Sequence, residues 1–256
     1  MTLKCRVIPT LLYRSPTLVK GAKFDNWRTF GDPVQATRVY NLRNVDELIF
    51  LDIAATRLGQ DPDFDLVDEI SNQCFMPLTV GGGVRSLSHI ETLLKRGADK
   101  ISINSAAISN LKLIQDASSH FGSQCIVVSI DTELSKVTKG YQLLGRCGTE
   151  VVVGSVMEYV QRVQDAGAGE ILLTSKDRDG TMSGYDLDLI RAVAPYSTVP
   201  VIVSGGAGQE AHVVDAALIE GVAGVAMGSI FLFTEATPKS VKQCMADAGI
   251  AVRLNQ

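Results

Sequence analysis

The chain has 256 residues, 46% of them hydrophobic and 20% charged, with a net charge of -4. Such a composition supplies a large apolar core, excludes a disordered chain, and gives no basic field for non-specific nucleic-acid binding. No stretch is long and apolar enough to span a membrane, and the start Met-Thr-Leu-Lys-Cys-Arg runs directly into a strand-like segment, so no signal peptide and a cytoplasmic location are expected.

The first strand is predicted over residues 6–11, followed by a loop over 13–30 that carries Lys20, Gly21 and the single tryptophan, Trp27. Gly31-Asp32-Pro33 reads as a helix start, with Asp32 as N-cap and Pro33 in the first turn. That helix continues to about Asn44, and the second strand is residues 47–52. The second helix begins near Asp63, with Leu66, Val67 and Ile70 at helical spacing. A third strand at 78–80 leads to a helix capped by Ser86 or Ser88, with Leu87, Ile90, Leu93 and Leu94 on one face and Gly97 as its stop. The fourth strand is 100–103, the fourth helix about 110–121, and the fifth strand 126–130, ending in Asp131.

Residues 132–154 carry the weakest pattern; Lys139-Gly140 followed by Tyr-Gln-Leu-Leu suggests a hairpin excursion. Beyond it come a helix at 155–166, a strand at 170–174, a helix at 186–193, a strand at 201–203, a helix at 209–220, a strand at 224–227 and a last helix at about 239–248. Eight strand–helix alternations predict one closed parallel (βα)8 TIM barrel spanning residues 1–256, with a doubly wound open sheet as the alternative. An internal repeat favours closure. Pro77-Leu-Thr-Val-Gly-Gly-Gly83 resembles Pro200-Val-Ile-Val-Ser-Gly-Gly206, Gly97 to Ser105 resembles Gly221 to Ser229, and Glu47 to Thr56 resembles the stretch from Glu170, in the same order. The five cysteines are scattered and odd in number, which reads as buried free thiols and neither a disulfide framework nor a metal site. The three histidines fall in predicted helices, so no metal and no cofactor are expected.

In such barrels the C-terminal strand ends carry the site. Glycine-ended strands leave backbone N–H groups open to a phosphate. One glycine-rich turn alone would be read as only a turn; one cradle in each half suits a substrate with a phosphate at each end. Asp52 and Asp131 are the carboxylates at strand ends: Asp52 reads as a supporting hydrogen-bond acceptor, Asp131 as a general acid or base.

Nearly the whole chain resembles the cyclase subunit of imidazole glycerol phosphate synthase, the HisF family. The resemblance is carried by Leu51-Asp-Ile53, Thr79-Val-Gly-Gly-Gly83, Gly97 to Asn104, Ile130-Asp131, Gly167 to Ser175, Asp177-Arg-Asp-Gly-Thr181, Ser183-Gly-Tyr-Asp186 and Ser204-Gly-Gly-Ala-Gly208. It implies a barrel that takes ammonia from a glutaminase subunit docked beneath it and reacts it with a bisphosphorylated ribulosyl substrate at the top. Carried over residue by residue, it places the phosphate grip at Gly83, Asn104 and Ser105 on one side. On the other side the grip falls at Asp179, Gly180, Ser204, Gly205, Gly206, Gly228 and Ser229, with Lys20 as the lysine of the first loop. It also implies an ammonia gate of Arg6, Glu47, Lys100 and Glu170, and a glutaminase contact at Asp99. As isolated charges those four would be a solvated barrel floor; as a complete set they read as the gate.

One family feature is missing. The family's acid/base pair has an aspartate after the first strand and one after the fifth. The second is present as Asp131, but Pro9-Thr-Leu-Leu-Tyr-Arg-Ser-Pro16 puts Leu12 at the first position. A leucine transfers no proton. Two function classes follow. The first is an enzyme subunit, a HisF-like synthase bound to a glutaminase. The second is a conduit that turns over nothing itself and passes ammonia to a third protein, an amidotransferase acting on sugars of surface polysaccharides. The related single-chain isomerase of the same pathway is a third, weaker reading, since that family keeps the strand-1 aspartate and does not need the gate.

Overall fold

The computed structural model describes residues 4–254; residues 1–3, part of the start read above as leaderless, lie outside the described residues. The first half runs β1 (Arg6–Arg14), β2 (Thr17–Ala22), β3 (Asp25–Gly31), α1 (Pro33–Leu42), β4 (Leu48–Asp52), α2 (Ala55–Leu58), α3 (Phe64–Ser71), β5 (Leu78–Gly81), α4 (Leu87–Lys95), β6 (Lys100–Ile103), α5 (Ser105–Ser109) and α6 (Leu111–Phe121). The second half runs β7 (Ile126–Leu134), β8 (Tyr141–Gly145), β9 (Glu150–Val152), α7 (Val156–Asp165), β10 (Glu170–Ser175), α8 (Leu187–Val193), β11 (Val201–Ser204), α9 (Glu210–Ala217), β12 (Val222–Met227), α10 (Ser229–Phe233) and α11 (Pro238–Asp247).

Strands β1, β4, β5, β6, β7, β10, β11 and β12 pair in parallel, and β12 pairs back to β1, so the barrel is closed as predicted and the open sheet is excluded. The strands read as continuous apolar runs because both faces are buried. Alternate residues go to two places. Val7, Leu48, Val80, Ile101, Val128, Leu173, Val203 and Val225 pack outward under the helices. Ile8, Ile49, Val127, Leu172, Ile202 and Ala226 form a separate apolar layer inside the barrel. Each Val, Ile or Leu side chain among them contributes roughly 1.5–3 kcal/mol by leaving water.

The helix starts follow local chemistry. Asp32 accepts from Gln35 N at 2.9 Å with Pro33 in the first turn, as expected. Ser86, not Ser88, caps α4, accepting from His89 N at 3.2 Å. The expected hairpin after the fifth strand is present as antiparallel β7–β8 and β8–β9. No helix among the described residues is long and apolar enough to cross a membrane.

Two expectations need correction. The stretch 13–30 is not a loop: β1 extends to Arg14 and pairs antiparallel with β2, which pairs with β3. Its apolar alternation is absent because β3 is largely solvent-facing, so periodicity could not reveal it. The thiols are not uniformly buried either: Cys5 is, whereas Cys74, Cys125, Cys147 and Cys244 are only partly covered, although all are free.

Candidate functional site

The strand C-terminal ends open into a cavity of about 920 Å³. Lys20, Asp52, Gly83, Asn104, Ser105 and Asp131 line it, and so do Asp179, Gly180, Ser204, Gly205, Gly206, Gly228 and Ser229. The sequence-predicted mouth residues are therefore one surface. Leu12 lines the same cavity and is nearly buried.

Asp131 comes from the end of the inward-facing row of β7. Asn104 Nδ2 donates to it at 3.4 Å and Ser129 Oγ at 3.5 Å. Burial pushes its carboxyl up to about 7, the Asp179 charge adds to the rise, and the Ser129 hydroxyl partly offsets it. A carboxyl with that value is poised to give or take a proton near neutral pH. Asp52 is placed differently. Its Oδ1 accepts from Ala54 N at 2.8 Å and Ala55 N at 3.0 Å, so it holds the turn into α2, the supporting role expected of it.

The two cradles differ. On the second-half side, Gly206 sits at φ +115, where a Cβ would lie 2.1 Å from Gly184 O, and Gly180 sits at φ +70, where a Cβ would lie 2.0 Å from Gly21 O. Only glycine fits either position. Ser229 Oγ, Thr10 Oγ1 and Asp179 Oδ2 are buried there without a hydrogen-bond partner among the described residues. A buried unpaired hydroxyl costs free energy that a polar ligand would return. Asp179 does not act as a donor: its N–H goes to Ser175 O, and its Oδ1 takes the buried Lys20 Nζ at 2.7 Å. On the first-half side the polar groups are engaged. Asn104 Nδ2 donates to Ser129 O at 3.0 Å, Ser105 Oγ donates to Asn104 Oδ1 at 3.1 Å, and Gly83 N–H goes to Thr56 Oγ1 at 3.2 Å.

The sequence reading missed several wall residues. The β8–β9 hairpin folds over the mouth, held by Arg146 N–H donating to Ser105 Oγ at 2.9 Å and Lys176 Nζ donating to Gly148 O at 2.9 Å. It brings Arg146 and Cys147 to the cavity, while Phe24 and Trp27 arrive on the unpredicted β2–β3 hairpin. Arg57 stands on the short helix α2 that follows β4. That position, one turn beyond a strand end, was the available signal for it.

At the opposite end Arg6, Glu47, Lys100 and Glu170 meet. Arg6 donates to Glu47 at 2.7 Å and also to Glu170. Lys100 Nζ reaches Glu47 and Glu170 at 2.9 Å each, and Thr79 Oγ1 donates to Glu47 at 2.8 Å. Each carboxylate thus holds both cations in a closed, neutral ring across the floor. Above it lies the inner apolar layer, and above that the small polar Thr10, Ser102, Ser129 and Thr174 face the cavity. Asp99 is exposed at the floor's edge, its Oδ2 accepting from Leu78 N at 2.8 Å.

A family model described as "Histidine biosynthesis protein" matches residues 6–237. Two curated relatives, each named imidazole glycerol phosphate synthase subunit HisF and coming from two strains of Caulobacter vibrioides (NA1000 / CB15N and ATCC 19089 / CIP 103742 / CB 15), are 45% identical over 253 residues. Those alignments cover 99% of this chain and 97% of each relative. With the closed barrel, the mouth and the floor ring already in place, likeness over the full length settles the family: this chain belongs to the HisF family of histidine biosynthesis proteins.

Proposed function

We propose that this chain is the synthase (cyclase) subunit of an imidazole glycerol phosphate synthase-type glutamine amidotransferase. A glutaminase subunit docks at the strand N-terminal face, near Asp99, and ammonia crosses the barrel to a bisphosphorylated ribulosyl substrate at the mouth. The observation that carries this reading is the closed ring of Arg6, Glu47, Lys100 and Glu170 directly beneath an open cavity. Four charges at the base of a barrel with no other need for them fit a guarded entrance. The apolar layer above favours neutral ammonia, because an ammonium ion leaving water there meets a large desolvation cost.

At the mouth Asp131 acts as the general acid or base. The unpartnered Ser229 hydroxyl, with the glycine turns at Gly180, Gly205 and Gly206 and the neighbouring Ser204 and Gly228, holds one phosphate. The other phosphate takes Gly83, Asn104 and Ser105, where the Asn104 and Ser105 side chains and the Gly83 N–H already make hydrogen bonds that its binding must compete with. Lys20, paired with Asp179, closes over the substrate. The test is co-expression with the cognate glutaminase: a heterodimer of micromolar affinity or better, about -8 kcal/mol, should form and raise glutamine hydrolysis. Absence of a complex at that concentration would sink the reading.

Asp131 also sets a pH profile. Acting as a base it needs its carboxylate, so at constant free ammonia the rate should fall as pH drops through about 7, the value to which burial raises it. A flat profile between about 5.5 and 8.5 would remove Asp131 from the chemistry.

A second reading rests on Leu12. With that side chain at the mouth, the barrel delivers ammonia to a separate amidotransferase, in the amination of surface-polysaccharide sugars, and makes little product itself. Ammonia-driven turnover separates the two readings.

A further inference from the structure

Three ring residues sit in the sheet, Arg6 paired with Gly224, Lys100 with Thr79 and Glu170 with Val127, but Glu47 precedes β4, and the sheet leaves β1 and β4 unpaired at this level. The parallel ladder between β1 and β4 begins only at Thr10 and Ile49. Below that point β1 pairs with β12, through Arg6 and Gly224, and not with β4. One side chain fills the gap. Asp46 Oδ2 accepts from Val7 N at 2.9 Å, and Asp46 N donates to Val7 O at 3.3 Å, so both polar groups of Val7 are taken by one residue. Arg6 precedes Val7, and Glu47 follows Asp46.

The other carboxylate oxygen of Asp46 faces away from the ring and meets Lys242 Nζ, from α11, at 2.7 Å. Both side chains are buried, at 5% and 7% exposure. Lys242 also donates to Asn44 O at 3.0 Å, fixing the turn that leads into β4. Nothing in the ring chemistry needs Lys242, yet a fully covered lysine is rare unless it is paired for a reason. The same clamp recurs at the other corner of the floor. Asp99 takes Leu78 N–H at 2.8 Å and gives its own N–H to Leu78 O at 2.9 Å, one residue before Lys100. At that corner the aspartate is exposed, and at the Asp46 corner it is buried against Lys242.

We propose that Asp46, locked by Lys242 of the last helix, is a positioning residue for the floor ring: it holds Arg6 and Glu47 in the register that lets them share Glu170 and Lys100. This rests on the reading of the ring as an ammonia gate. The last helix thereby takes part in the passage of ammonia without touching ammonia or substrate.

The test uses the full chain with its glutaminase and compares glutamine-driven with ammonium-driven turnover. Their ratio is taken so that a slower chemical step common to both routes does not enter. Lys242→Met should lower the ratio at least fivefold while leaving the ammonium-driven rate within twofold. Because a lone buried Asp46 can unfold the chain, the neutral double variant Asp46→Asn/Lys242→Met is measured beside it and should show the same loss. In parallel, amide hydrogen exchange at Val7 in the isolated chain should quicken at least tenfold in either variant, with the amides of β10 and β11 unchanged. A fall in both turnover rates together would make the pair a general staple and overturn the inference, as would an unchanged ratio in a folded variant. Failure of the gate reading shows separately, as no complex or no glutamine-driven product with Lys242 intact; Val7 exchange alone then decides, and unchanged exchange overturns the inference.

Discussion

Leu12→Asp is expected to raise ammonium-driven turnover of the histidine-pathway substrate by about 10²–10⁴-fold over the unmodified chain, the contribution typical of one placed acid or base. Leu12 pairs with Leu51 of β4 and Val19 of β2 and shares the cavity with Asp131, so a carboxylate there would stand on a rigid strand. Two of the other acids lining the mouth are committed, while Glu150 stands exposed on β9. Asp52 holds the Ala54 and Ala55 amides, and Asp179 holds Lys20. Ammonium salt replaces the glutaminase in this assay, which separates chemistry from channelling. Leu12→Asn, polar but unable to exchange the proton, should gain little. Ordinary HisF-level turnover by the unmodified chain would show that another group has taken the missing role, and would remove the main support for the conduit reading.

Glu47→Ala should cost about 3–5 kcal/mol of folding stability, the usual penalty for removing one member of a buried ion pair. Glu47 is the most covered member of the ring, with a side chain 2% exposed, and it accepts from Arg6, Lys100 and Thr79 together. Its loss leaves two cations facing Glu170 alone. Chemical denaturation measures the effect, with Lys112→Ala as the comparison. That lysine forms an exposed pair with Asp116 at 2.9 Å, and its removal should change stability by less than about 1 kcal/mol. If the two substitutions cost the same, the ring is solvated and is not a closed floor.

The absence of a carboxylate at Leu12 was visible in the sequence, since it needed only the strand-1 pattern and the residue after it. The hydrogen-bonded closure of the ring was not, because Arg6, Lys100 and Glu170 lie on three strands and Glu47 just before a fourth, and only the barrel's register brings them together.

The sequence by itself determined the strand–helix alternation, the cap at Asp32 and the strand-end residues of the mouth from Asp52 to Ser229, because buried parallel strands and capped helices write their periodicity and end residues locally; the choice of Ser86 over Ser88 was left open, and Lys20 came from the family resemblance. The sequence also determined Asp131 as the acid or base to examine. Only the tertiary structure decided the rest. Strand β3 has too little buried face to leave a periodic trace, so Phe24 and Trp27 could not be placed at the mouth beforehand. The pairing of Lys20 with Asp179 joins residues 159 apart. The inequality of the cradles depends on which polar groups already have partners, with Asn104 and Ser105 engaged and Ser229 not. The raised value of Asp131 comes from burial and from the nearby Asp179 charge. Burial, partner satisfaction and charge proximity are properties of distance in space, and the order of residues along a chain does not record them.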